Sequence, residues 1–128
     1  MPVNAVWDDE AKTIVRLDYI GKWTWDDVYV ATEAMNEMMK SVSHPVSIIH
    51  NMFDSAGIPS GAITQARKFT EGLPENWGLS VVIGSGLFAE SLVNVFGKLY
   101  RKLGEHYRTA SNLEQARKLI AHEQSKKE

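Results

Sequence analysis

Cysteine is absent from the 128 residues. Disulfides, thiolate nucleophiles and cysteine-built zinc or iron–sulfur sites are excluded with it, and the composition suits a reducing compartment. Long apolar runs are missing too. None approaches the ~20 residues of a bilayer span, and Met1-Pro2-Val3-Asn4 lacks the basic and apolar regions of a signal peptide. A cytoplasmic location without a membrane span is therefore expected. Nor does one sign of charge prevail: 14 Lys and Arg stand against 16 Asp and Glu, for a formal net charge of −2. Such a balance supplies no field for nonspecific phosphate binding. The best basic grouping is Lys98, Arg101, Lys102 and Arg108 beside Tyr100 and Tyr107, and its first three members fall on the wet side of a helical pattern. No nucleic-acid partner is expected.

What the chain does have is enough for one core. Leu, Ile, Val and Phe together number 32 of 128 residues, above the level at which apolar burial fails to offset conformational entropy. We read residues 1–123 as a single domain and residues 124–128 as a frayed polar tail.

The order of elements follows from periodicity. Val3 to Trp7 and Thr13 to Ile20 are β-rich runs split by the polar stretch 8–12, which is of hairpin length. Thr24 opens a helix with Asp26 and Asp27 in its first turn, and Val28, Ala31, Met35, Met38, Met39 and Val42 form its apolar stripe. The methionines suit core packing, and could also line an adaptable apolar pocket. His44-Pro45 stops the helix, and the run 46–53 reads as an interior strand. A glycine-containing turn over 54–61 leads to a second helix marked by Ile63, Ala66 and Phe69, ending near Gly72-Leu73-Pro74. A buried strand spans Leu79 to Ile83. A third helix carries Phe88, Leu92, Val95, Phe96, Leu99 and Leu103, a short strand surrounds Tyr107, and Ser111 with Glu114 forms a capping box for the last helix. The order ββαβαβαβα predicts an α/β fold with a mixed, mostly parallel sheet packed with helices and right-handed crossovers.

Chemistry is harder to find. His44, His50, His106 and His122 show neither the i, i+4 spacing nor an H-x-H arrangement that builds a metal site, and His50 reads as a hydrogen-bonded histidine in a buried strand. Ser85 is flanked directly by Gly84 and Gly86, whereas a nucleophile elbow needs glycines two places away. Gly84, Ser85 and Gly86 remain a possible anion loop at a helix start, although a tight turn alone is the better explanation. The acidic pairs at Asp8-Asp9 and Asp26-Asp27 have a sufficient explanation in solubility and helix-dipole complementation. Trp23, Trp25 and Trp77 lie near element ends, where large aromatics seal a core or anchor a ligand or partner. No catalytic residue, metal or cofactor is assigned.

The element order, together with Phe53-Asp54-Ser55-Ala56-Gly57 after an apolar strand and Tyr107-Arg108-Thr109-Ala110-Ser111 before Leu113-Glu114-Gln115-Ala116, resembles the STAS superfamily. That is the fold of anti-sigma-factor antagonists and of similarly shaped domains, some resembling lipid carriers. The resemblance implies a regulatory turn at Asp54, Ser55, Ala56, Gly57 and Ser60. In the antagonists this turn reads Asp-Ser-Ser-Gly and its second serine is phosphorylated; Ala56 stands at that place here and has no hydroxyl. The implied function is a noncatalytic regulatory or protein-interaction module without the phosphoserine switch, acting on a protein partner or as a homodimer. The alternative is a protein that binds a small apolar ligand or lipid. Ser55 or Ser60 is expected to cap the second helix.

Overall fold

The computed structural model describes residues 2–84 and 105–126. β1 (Val3–Trp7) and β2 (Ile14–Tyr19) form the expected antiparallel hairpin. Its turn is organised by Asp9, whose carboxylate accepts the backbone N–H groups of Thr13 at 2.9 Å and Ile14 at 3.0 Å as well as the Thr13 hydroxyl. This gathers otherwise orphaned donors where Lys12 adopts a φ of 58°.

α1 (Trp25–Lys40) begins at Thr24, which accepts the Asp27 N–H while the Asp27 carboxylate accepts the N–H of Thr24, a reciprocal capping box. Val28, Ala31, Met35 and Met39 are its buried residues, spaced three to four apart on one face. Burying a side chain of Met or Val size is worth about 1.5–3 kcal/mol each, so this stripe fixes the helix on the sheet. Met38 and Val42 lie at the margin of the same core.

β3 (Val46–Asn51), α2 (Ala62–Glu71), β4 (Trp77–Ile83), β5 (Tyr107–Ala110) and α3 (Leu113–Lys126) complete the described elements. The strands lie side by side in the order β1-β2-β3-β4-β5, with every pair after the hairpin parallel. The class is α/β with a mixed, mostly parallel sheet, as the periodicity predicts. The expected third helix, with Lys98, Arg101 and Lys102 on its wet side, lies outside the described residues.

Because successive strands are added in one direction, right-handed crossovers place α1 and α2 on the same face of the sheet. The core there is built from Val15, Leu17, Tyr19, Val46 and Ile48 under Met35, Met39 and Phe69. On the opposite face Ile49, Leu79, Val81, Ile83 and Ala110 pack against Ala116 and Ile120 of α3. An ion-pair cluster ties this layer to the hairpin. Arg117 grips Asp8 with two bonds of 2.7 and 2.8 Å, Arg16 adds a third at 2.8 Å, and Arg16 also holds Asp18. The Asp8 side chain is only 1% exposed, and its carboxyl is held below the ordinary carboxylate range by the Arg117 and Arg16 guanidinium groups despite the opposing effect of burial.

The β3–β4 ladder shifts by one residue between Val46 and Ile48, so that Val46 pairs with Trp77 but Ile48 with Ser80. The extra residue lies at the stretch that holds Gly78, where an added Cβ would stand 2.8 Å from Oγ of Ser47. That same hydroxyl accepts the Leu79 N–H at 3.0 Å, replacing the ladder bond that the irregularity removes.

Several expected boundaries move. β4 begins at Trp77 rather than Leu79, β3 ends at Asn51 rather than Phe53, and α3 continues through Lys126, so residues 124–126 are helical rather than a frayed tail. The cap of α3 is displaced by one position from the expected Ser111–Glu114 box. Asn112 accepts the Gln115 N–H at 2.8 Å, and the Gln115 side chain accepts the Ser111 N–H at 2.7 Å. Glutamine at the third helical position reaches back as readily as glutamate, which is why the pattern could be read in two registers.

Candidate functional site

The turn over 54–61 lies at the carboxyl end of β3 as expected, and it is tightly tied down. Gly21 donates to the Asp54 carbonyl at 2.7 Å and accepts from the Ala56 N–H at 2.9 Å, extending the parallel pairing of β2 and β3 beyond the strands. The Ser55 hydroxyl accepts the indole N–H of Trp23 at 2.8 Å and donates to the Gly57 carbonyl at 2.7 Å. Ala56, Gly57 and Ser60 are exposed, and so is Asp54.

Neither Ser55 nor Ser60 caps α2, contrary to expectation. The cap is Gly61, in the left-handed region at φ 86° and without a side-chain bond to the helix. Ser55 is diverted to Trp23. Ser60 contributes its carbonyl to the indole N–H of Trp25, at 2.8 Å. Glycine is the residue for which this backbone conformation carries no Cβ penalty.

Beside the turn, an apolar pocket of about 70 Å³ lies between the sheet and the facing sides of α1 and α2. Tyr19, His50 and Val82 form its floor from three adjacent strands, with Tyr107 of β5 next to them; Trp25, Val28 and Tyr29 come from α1; Ala62, Gln65, Ala66 and Phe69 come from α2. The space exists because α2 presents two alanines there. The helix buries Phe69 and Thr70 near its carboxyl end but leaves Ala62 through Ala66 only half-buried or exposed. At the rim the roof is strapped shut: Trp25 bonds to the Ser60 carbonyl and Tyr29 donates to the Gln65 side-chain oxygen.

The polar centre of the pocket is a pair the sequence did not single out together. Tyr19 Oη lies 2.9 Å from Nδ1 of His50, and both side chains are buried. His50 Nε2 is buried with no partner. That bond has two forms: either the phenol donates to Nδ1 and the imidazole proton sits on Nε2, or Nδ1–H donates to the phenol oxygen and Nε2 is an acceptor. Burial pushes the imidazole down to about 4 from its usual 6.5, so the ring is neutral at physiological pH. Burial likewise raises the Tyr19 phenol far above its ordinary range and the Tyr107 phenol to about 12. Tyr107 is engaged with the Thr70 hydroxyl. A neutral imidazole edged by Phe69 at 5.2 Å is therefore a polar group held in an apolar wall.

The residues proposed from sequence do not converge on a reactive arrangement. His50 bonds to Tyr19, Ser55 to Trp23 and Gly57, and Asp54 points no carboxylate at either in any hydrogen bond seen among the described residues. Gly84 follows β4; Ser85 and Gly86 lie outside the described residues. Met35 and Met39 pack in the core rather than line the pocket, whereas Trp25 does line it and Trp23 is buried beside Tyr19 at 5.0 Å. Trp77 stacks on His106 at 4.8 Å.

A wider polar cleft of about 700 Å³ lies at the opposite, amino edge of the sheet, where His44 and His106 are both present. Their bonded ring nitrogens are tied to the carbonyls of Lys12 and Gly78. Among the described residues no group of three or more His, Asp or Glu could hold a metal ion. No described helix is long and apolar enough to cross a membrane.

The sequence signal for Tyr19 and His50 was parity. Both sit on the same face of neighbouring parallel strands, in register through the pair Leu17 and His50, but that register depends on a sheet order that periodicity alone does not give. No family model matches the chain, and no match is found among curated proteins or among solved structures.

Proposed function

We propose that this domain is a noncatalytic binding module whose ligand site is the apolar pocket under α1 and α2. The observation that carries the reading is the unpartnered Nε2 of His50 in an otherwise apolar wall, since buried polar atoms are nearly always paired and an orphan marks an absent partner. The size sets the scale. At about 70 Å³ the space is roughly half the ~150 Å³ that accommodates benzene, so it admits a group of a few heavy atoms or the tip of a longer molecule, with Trp25 and Tyr29 at the rim for the remainder. Filling the space should abolish binding without unfolding the protein. Native mass spectrometry and thermal shift against a panel of small apolar probes, on the wild type and on Ala66→Leu, test this. Uptake by the wild type alone supports the reading, and no uptake by either protein rejects it.

A second reading, a protein-interaction module of the STAS type, is favoured by a separate observation. Ile20 and Phe53 follow adjacent strands at the carboxyl edge and are 50% and 46% exposed, beside the rigidly held turn of Asp54, Ser55, Ala56 and Gly57. Exposed large apolar side chains on a fixed surface suit docking to a protein partner or a second copy. The strand order and the position of this turn support the likeness to anti-sigma-factor antagonists, with Ala56 replacing the switchable serine by a constitutive surface. A partner retained by the wild type and lost on Phe53→Asp, or a dimer dissolved by that change, would support it. Identical capture and identical mass for both proteins would count against it.

A further inference from the structure

The pocket's polar equipment is one-sided, and that restricts what can occupy it. None of the described lining residues is charged. Tyr19 is paired with His50, Tyr107 with Thr70, and Tyr29 with Gln65 at the rim. Gln65 keeps its amide N–H2 at the rim, and deep in the wall Nε2 of His50 is buried without a partner, a donor in the tautomer in which Tyr19 donates to Nδ1. A carboxylate would lose its hydration with no cation to meet it. A hydrocarbon would fill the space but leave Nε2 of His50 unpaired.

We propose that the pocket takes a small uncharged molecule, or the end of one, bearing a carbonyl oxygen on an apolar stem of a few carbons, with that oxygen accepting from Nε2–H of His50. This rests on the pocket being the ligand site. The apolar stem lies against Val28, Ala62, Ala66 and Phe69, and the straps from Trp25 to the Ser60 carbonyl and from Tyr29 to Gln65 of α2 must loosen to admit it. In this arrangement Tyr19 donates to Nδ1 and so holds the proton on Nε2, which makes Tyr19 a positioning residue for the donor.

The test uses the full chain with ¹⁵N-labelled histidine, titrated separately with 2-pentanone, pentane and butyrate. The ketone should shift the His50 Nε2 resonance and bind about tenfold more tightly than pentane, the ratio one hydrogen bond to a buried donor confers, while butyrate does not enter. His50→Phe should retain pentane and lose the preference for ketone. Should that variant fail to fold, the wild-type tautomer decides the matter: a proton on Nδ1 rather than Nε2 overturns the proposal. Equal binding of ketone and pentane overturns the carbonyl assignment while leaving an apolar pocket in place. Preferred binding of butyrate overturns it as well. If no probe enters and an ordered water occupies the Nε2 bond, the proposal and the pocket reading fall together.

Discussion

Arg117 and Asp8, 109 residues apart in the chain, close a two-bond ion pair that joins the last helix to the first hairpin. The Arg117 side chain is half-exposed but that of Asp8 is buried, so losing Arg117 leaves the carboxylate with Arg16 as its one remaining cationic partner among the described residues. Arg117→Ala should cost roughly 2 kcal/mol in urea unfolding at neutral pH, the scale of hydrogen bonds to a charged group. Because the Asp8 carboxyl is held below its ordinary value of 3.8 in the folded state, its contribution is present above that value and is lost as pH falls through the lower folded value. The variant should therefore lose less stability than the wild type on acidification below pH 4.

His50 dominates the acid response at higher pH. The folded ring titrates at about 4 and the unfolded ring near 6.5, so the unfolded state binds the extra proton between those values. The His50 contribution should be full above pH 6.5, decline toward pH 4 and level off below it, a loss of about 3 kcal/mol, with the further loss below pH 4 belonging to Asp8. Chemical denaturation of wild type and His50→Gln at pH 7, 5.5 and 4 checks this, and an unchanged slope in the variant would assign the acid response elsewhere.

Ser55→Ala and Ser60→Ala should differ. Removing the Ser55 hydroxyl leaves the buried Trp23 indole N–H unpaired and should cost about 1–3 kcal/mol, with a change in tryptophan fluorescence. Ser60 uses its carbonyl alone, and its truncation should be close to neutral. A large loss at Ser60 would show that its hydroxyl has a role the geometry does not reveal.

Gly78→Ala should destabilise by more than the usual exposed substitution, because the new Cβ meets the Ser47 hydroxyl that satisfies Leu79. About 1–3 kcal/mol is expected for such crowding. Pairing it with Ser47→Ala relieves the clash but orphans the Leu79 N–H, so the double variant should remain below wild type. Full recovery would show that the hydroxyl bond contributes little.

The fold was legible wherever one local rule acted alone. The stripe of α1, the Thr24 cap, the hairpin and the mostly parallel order all follow from period, cap chemistry and breaker residues. The α2 cap was misread because two serines near a helix start look like caps, yet Ser55 is drawn to a tryptophan 32 residues away and Gly61 takes the cap position. The pocket was invisible for the same reason. Ala62, Ala66, Tyr19 and His50 are unremarkable singly, and only the stacking of α2 over adjacent strands makes two alanines into a space with the unpartnered nitrogen of a core histidine in its wall. Methionines suggested a pocket, but their stripe coincides with the helix face that the core requires.

The strand order β1-β2-β3-β4-β5 has a consequence for biosynthesis. Each strand after the first pairs with the one made immediately before it, so the sheet can grow at one edge in the direction of translation. No described strand waits for a distant partner yet to be synthesised, which limits how long an open edge is exposed. The exception is the Asp8–Arg117 pair. It can form only once α3 has emerged, so this last contact fastens the finished sheet to its beginning.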